Sequence, residues 1–77
     1  MFSLYQTVAL ATDIPAAGLR SGDLGAVVAI HDSGHVEVEF VAASGRTQAL
    51  LTLSMDRIRS IGDQDLIAVR SLVRADR

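Results

Sequence analysis

The 77-residue sequence contains no cysteine, no lysine, no tryptophan and a single proline. Without cysteine, neither a disulfide framework nor a thiolate metal site is available. No apolar run approaches the roughly 20 residues that a membrane-spanning helix requires, and residues 1–5 carry no basic side chain ahead of an apolar stretch. We therefore expect mature sequence rather than a signal peptide, no membrane partner, and a cytoplasmic location.

Basic and aromatic residues are also scarce, which narrows the class of partner. The chain has seven basic residues, all arginine, against nine acidic ones, and its net charge is −2 at pH 7. This balance argues against nucleic acid as a partner, because nucleic-acid binders neutralise phosphates with lysine and arginine. One tyrosine and two phenylalanines are too few for a stacked aromatic groove that binds proline-rich peptides.

Apolar residues make up 49% of the chain, and their spacing predicts one mainly β domain. Val36, Val38 and Phe40 alternate with Glu37 and Glu39, which is the period of a strand with one face in the core. Five such strands with a 3₁₀ turn over residues 54–57 are typical of a small SH3-like barrel, here predicted over residues 1–62. The predicted strands are 4–11, 26–31, 36–41, 47–53 and 58–61.

Glycine is concentrated just before the second predicted strand, in residues 18–28. Gly22 and Gly25 flank Asp23, and glycine at such positions provides positive φ or close approach of the backbone. An aspartate there usually accepts backbone N–H groups and closes its own turn. We interpret Gly22, Asp23 and Gly25 as a structural turn rather than as part of a catalytic site.

The hydrophobic period changes after Gly62. Residues 63–77 are predicted to form an amphipathic helix, with Asp63 as N-cap and arginines toward its end. A helix of about three turns is marginal in water, and it therefore needs its own barrel, a second copy or another protein to pack on. The apolar stripe on this helix is the predicted partner-binding surface, and it consists of Leu66, Val69, Leu72 and Val73.

No group of side chains indicates catalysis, a metal or a cofactor. His31, Asp32 and His35 flank a short turn, where a metal site would lack supporting hydrogen bonds, and they are interpreted as solvated turn residues. Glu37 and Glu39 are neighbours on one strand face and are interpreted as a solvated outer surface rather than an acid–base pair. We expect no enzyme activity and no small-molecule ligand.

Six stretches occur in a characteristic order and spacing, namely residues 4–10, 13–15, 18–28, 36–40, 45–47 and 51–53. Together they resemble a family of small bacterial proteins known as domain of unknown function four-nine-two-six. The resemblance covers residues 4–61, about three quarters of the chain, and the family implies no activity that can be transferred. It leads us to expect an association with gene pairs of the toxin–antitoxin kind.

Three functional hypotheses follow. The first is a non-catalytic protein-binding module, and more specifically an antitoxin- or immunity-like protein that neutralises a partner encoded beside it. The second is a nucleic-acid or ribosome-associated accessory, because the turn at Gly22–Gly25 resembles that of KOW-type barrels, with Arg20 and Arg46 as its basic residues. The third is a homo-oligomeric structural protein, for example a homodimer joined through the C-terminal helix.

Overall fold

The computed structural model describes residues 1–31 and 34–72, which form a single antiparallel β-sheet. The 3₁₀ helix Pro15–Ala17 lies between the first two strands, and the 3₁₀ helix Met55–Arg57 lies before the last one. The second of these confirms the predicted turn over residues 54–57. No helix in this described part is long and apolar enough to cross a membrane. The strands are β1 Thr7–Leu10, β2 Leu24–Ile30, β3 His35–Val41, β4 Thr47–Ser54 and β5 Ile58–Ser60.

The sheet is open, so the prediction of a closed SH3-like barrel is wrong. Its strand order is β4-β3-β2-β1-β5, and every neighbouring pair is antiparallel. A barrel would require β4 to pair with β5, and no such ladder forms in residues 1–31 and 34–72. Met55–Arg57 carries the chain from β4 to the far side of β1, and β5 is only three residues long. Closure depends on strand tilt and stagger, which alternating sequence patterns do not specify.

One face of the sheet carries the hydrophobic core. Val36, Val38 and Phe40 are buried while Glu37 and Glu39 are half-exposed, which confirms the predicted alternation of β3. Phe40 is the largest fully buried side chain of the core. The core is completed by residues from every strand and from the β1–β2 loop, namely Val8, Leu10, Leu19, Val27, Leu53 and Ile58.

Strand β1 is shorter than predicted at its N-terminal end. Gln6 donates its backbone N–H to the carbonyl oxygen of Ser3 at 3.1 Å, which closes a turn over residues 3–6. Tyr5 lies in this turn with a φ of 68°, a left-handed conformation that is uncommon for residues other than glycine. The turn therefore replaces the first residues of the expected strand, and Tyr5 is left exposed.

The prediction of a C-terminal helix is also wrong for residues 63–72, where the chain forms no helix or strand. Residues 73–77 of the predicted helix lie outside the described residues. The backbone N–H of Asp65 bonds the carbonyl oxygen of Gly62, which makes a single turn. Further along, the Arg70 side chain binds the β1–β2 loop, and this tertiary interaction competes with a helix that is marginal on its own.

Gly25 of β2 is required by close packing across the sheet. A Cβ atom at Gly25 would lie 2.7 Å from Val38 Cγ1, 2.9 Å from Phe40 Cε1 and 3.0 Å from the Glu39 carbonyl oxygen. These distances are well below normal contact, and two of the three atoms belong to core side chains. The sheet therefore tolerates only glycine here without moving the core of β3.

We predict that Gly25→Ala lowers the free energy of unfolding by about 1–3 kcal/mol, because the added methyl overpacks the core. The matched control is Gly62→Ala, where the nearest atom to an added Cβ is Asp65 Oδ2 at an ordinary 3.6 Å. Urea denaturation followed by circular dichroism measures both variants. Equal unfolding midpoints for the two would contradict this account of Gly25.

Candidate functional site

Asp23, in the loop between β1 and β2, makes polar contacts through both its side chain and its backbone. Its Oδ2 accepts the backbone N–H of Arg20 at 2.8 Å, and its carbonyl oxygen accepts the N–H of Leu10 at 2.8 Å. Gly22, with a φ of 96°, donates its N–H to the Leu10 carbonyl oxygen at 2.7 Å. Asp23 and Gly22 thus fix the loop to the end of β1 at the point where β2 begins.

Asp23 also binds the C-terminal segment, which we define as residues 61–72. Arg70 Nε donates to Asp23 Oδ1 at 2.8 Å, and Arg70 Nη2 donates to Asp23 Oδ2 at 2.6 Å. The same Nη2 donates to the carbonyl oxygen of Gly18 at 3.0 Å. Bidentate pairing of arginine and carboxylate is among the stronger polar contacts, and only 18% and 28% of the Asp23 and Arg70 side chains are exposed.

This geometry disfavours a catalytic role for Asp23. The hydrogen bond from Arg70 holds the pKa of the Asp23 carboxyl below its usual value, although partial burial opposes the shift. The pKa of the Arg70 guanidinium is raised by the same contact. Both carboxylate oxygens already accept hydrogen bonds. The Asp23–Arg70 pair therefore joins the loop to the segment, and the carboxylate is poorly placed to accept a proton from a substrate.

A second ion pair holds the start of the C-terminal segment. Arg59 of β5 lies 2.9 Å from Asp65 Oδ1, and Asp65 Oδ2 accepts the backbone N–H of Gly62 at 2.7 Å. The pKa of Asp65 is lowered mainly by the hydrogen bond from Arg59 and, to a smaller extent, by the hydrogen bond from the Gly62 backbone. The segment is therefore attached at two places, to β5 through Asp65 and to the β1–β2 loop through Arg70, with residues 66–69 between them.

Between these attachments the segment presents apolar side chains to solvent. Leu66 is 90% exposed and Val69 is 96% exposed. Ile67 is exposed as well, and so is Leu72 just beyond the Arg70 attachment. Of the four residues predicted to bind a partner, Leu66, Val69 and Leu72 are thus accessible on one short segment, while Val73 lies outside the described residues.

Two open cavities border the segment where it meets the loop. The larger, of about 390 Å³, is lined by residues that include Leu19, Phe40, Gln48, Val69 and Leu72. The smaller, of about 300 Å³, includes Leu66 and Ile67 in its lining. Both contain Asp23 and Arg70, whose charges are neutralised by each other, so the cavities offer mainly apolar surface.

The other residues considered from the sequence lie apart from this site. His31 donates its backbone N–H to the carbonyl oxygen of His35 across the β2–β3 turn, and His31 Nε2 lies 3.7 Å from Glu37 Oε1. Asp32 lies outside the described residues. Within residues 1–31 and 34–72, no cluster of histidine and acidic side chains has the arrangement of a metal site.

Sequence reasoning singled out Asp23 but missed Arg70. The two residues are 47 positions apart, and no local pattern links them. In the sequence, Arg70 is one of several arginines toward the end of the predicted helix, where a positive charge favours the helix dipole. Its pairing depends on the path of the C-terminal segment across the β1–β2 loop, and hence on the fold as a whole.

Comparison with known proteins gives one match. A family model described as Domain of unknown function (DUF4926) matches residues 4–60, which include all five strands and the β1–β2 loop. No curated protein and no solved structure matches the chain. The family resemblance inferred from the sequence is thereby confirmed, and the matched region ends just before the C-terminal segment.

We predict that Arg70→Gln lowers the free energy of unfolding by about 1 kcal/mol at pH 7, because it removes a partly buried bidentate pair. The pKa of Asp23 is lowered in the folded state, so this stabilisation is complete above the usual carboxyl pKa of about 3.9 and disappears as the pH falls through the folded value. Urea denaturation between pH 7 and pH 3 measures the difference.

Arg59→Gln is the control for this prediction, because it removes an ion pair that is solvent-exposed and should change stability less. Arg70→Lys should be intermediate, since lysine keeps the charge but lacks the bidentate geometry. A difference between wild type and Arg70→Gln that stays constant from pH 7 to pH 3 would contradict the assignment to Asp23.

Proposed function

This chain belongs to the family described as Domain of unknown function (DUF4926), and we propose that it acts as a non-catalytic protein-binding module. The more specific form of the proposal is an antitoxin- or immunity-like protein that binds and neutralises the product of a neighbouring gene. The C-terminal segment is the proposed binding surface, and Leu66 and Val69 are its central contacts.

The observation that carries the proposal is the exposure of Leu66 and Val69 in the stretch between the two attachments of the C-terminal segment. Isolated exposed apolar residues are ordinary, but contiguous apolar patches often mark protein-interaction sites. Here Ile67 lies between them in sequence and is exposed as well. The ion pairs of Asp65 and Arg70 restrict the conformations of the segment before binding. They therefore reduce the conformational entropy that the segment loses when a partner binds.

The charge and chemistry of the site support a stoichiometric inhibitor over an enzyme. The polar groups beside the exposed apolar residues, Asp23 and Arg70, already bind one another. A net charge of −2 favours association with a basic protein partner. A small acidic protein that covers the active surface of another protein needs no catalytic group of its own.

The test is to express the product of each adjacent gene in a host cell, with and without this chain. A product that stops growth should be neutralised by the chain, and the two proteins should copurify in a one-to-one complex. Leu66→Asp with Val69→Asp should weaken that complex by about a hundredfold, because two apolar contacts are lost and two charges are buried. Growth rescue and isothermal titration calorimetry measure the two effects.

The matched control is Leu4→Asp with Ile30→Asp, which makes the same change at two exposed apolar residues outside the segment. This control should rescue growth as wild type does. Neighbouring genes with no toxic product would contradict the antitoxin form of the proposal. A complex that tolerates the Leu66 and Val69 changes would exclude the C-terminal segment as the surface.

A further inference from the structure

The two edges of the sheet differ in how they are protected. Edge strand β5 is three residues long, carries Arg59, and is joined to the C-terminal segment by the Arg59–Asp65 pair. Short length, charge and covering segments are the usual means by which proteins prevent strand addition. Edge strand β4 is eight residues long and contains neither charge nor proline.

The free edge of β4 is regular over residues 49–54. Strand β3 pairs with β4 from His35↔Ser54 to Phe40↔Ala49, and the register shifts only beyond Ala49, where Gln48 is left as the bulged residue. In the described ranges, 1–31 and 34–72, β3 is the only strand that pairs with β4. Alternate backbone N–H and C=O groups of this edge therefore point away from the sheet.

The outer face next to this edge is acidic, and within residues 1–31 and 34–72 no arginine forms an ion pair with it. Glu37 and Glu39 lie on the outer face of β3, where Ala29 and Ala26 oppose them on β2. On β4 the opposing residues are Thr52 and Leu50. Glu39 Oε2 accepts a hydrogen bond from Thr47 Oγ1 at 2.6 Å, and Glu37 has His31 at 3.7 Å. Cross-strand neighbours thus leave both carboxylates without an arginine.

We propose that the β4 edge binds an extended segment of a partner protein by strand addition, and that this segment carries lysine or arginine on its outer face. Strands lie about 4.8 Å apart, so a long basic side chain opposite Thr52 reaches Glu37 over the short threonine. An apolar side chain opposite Leu50, which is 53% exposed, covers that leucine. This surface runs along residues 49–54 of β4, and the proposal stands without the function proposed above.

A second copy of the chain fits the edge less well than a basic segment does. Two β4 strands paired with each other would join edges that have no charge, since Thr47–Ser54 contains none. The β4 strand of the second copy would then offer Glu37 and Glu39 no basic side chain. Charge complementarity therefore selects a different, basic strand as the occupant.

The probe is a nine-residue peptide, acetylated and amidated, of sequence Thr-Val-Arg-Val-Leu-Val-Arg-Val-Thr. Its outer face carries arginine and leucine, and a control peptide has glutamate in place of arginine. We expect the arginine peptide to shift the backbone amide resonances of residues 49–54 in a nitrogen-15 NMR titration of the full chain. The glutamate peptide should bind at least about tenfold more weakly.

Methylation of the peptide backbone distinguishes strand addition from binding by charge alone. One version is N-methylated on the odd-numbered residues and another on the even-numbered ones. Because only alternate amides of an added strand face its neighbour, one version should lose binding and the other should retain it. Equal behaviour of the two versions, or shifts outside β4 and its neighbours, would overturn the proposal.

Variants of the full chain complete the test. Leu50→Lys should abolish binding of the arginine peptide, because it places a positive charge on the edge. The control Ile30→Lys changes an exposed apolar residue elsewhere and should not affect binding.

The contribution of the carboxylate is tested separately. Glu37→Gln should weaken binding by about tenfold, whereas Asp63→Asn makes the same charge change away from the edge and should have no effect. A dimer of the free chain that Leu50→Lys dissociates would instead make a second copy the occupant and overturn the proposal.

Discussion

The carboxylate of Asp23 is the constraint on which the two ends of this structure depend. Through its Arg20 hydrogen bond it closes the loop that delivers the chain into β2, and through Arg70 it holds the C-terminal segment against that loop. A single side chain therefore sets both the start of the central strands and the path of the residues beyond the sheet. Each of its two oxygens accepts at least one of these hydrogen bonds, so the carboxylate is held in place by the loop and by the segment together.

The strands of this fold were largely predictable, because they depend on a period of two that burial imposes directly. The alternation from Val36 to Phe40 identifies the core face of β3 without knowledge of its neighbours. Gly25 was singled out within a glycine-rich turn. That a Cβ atom at this position would collide with Val38 and Phe40 becomes visible only when β2 and β3 are paired.

The errors arose where tertiary contacts decide the outcome. An apolar stripe at residues 66, 69 and 72 is typical of a helix, but the Arg70 side chain reaches Asp23 instead, and residues 63–72 remain irregular. Whether five strands close into a barrel depends on their tilt, which local patterns leave open. At the site, the sequence indicated the exposed apolar residues and Asp23. The pairing of Asp23 with Arg70 became visible only in the folded structure.

The unequal edges of the sheet limit what kind of assembly this chain can build. A sheet with two open edges can add strands at both sides and grow into a fibre. Here β5 is short and the Arg59–Asp65 pair joins it to the C-terminal segment, so of the two edges formed by the described residues β4 is the more open to an added strand. When a strand is added at β4, the described part of this chain keeps only the short, covered β5 edge, so the chain itself favours growth of the sheet on one side.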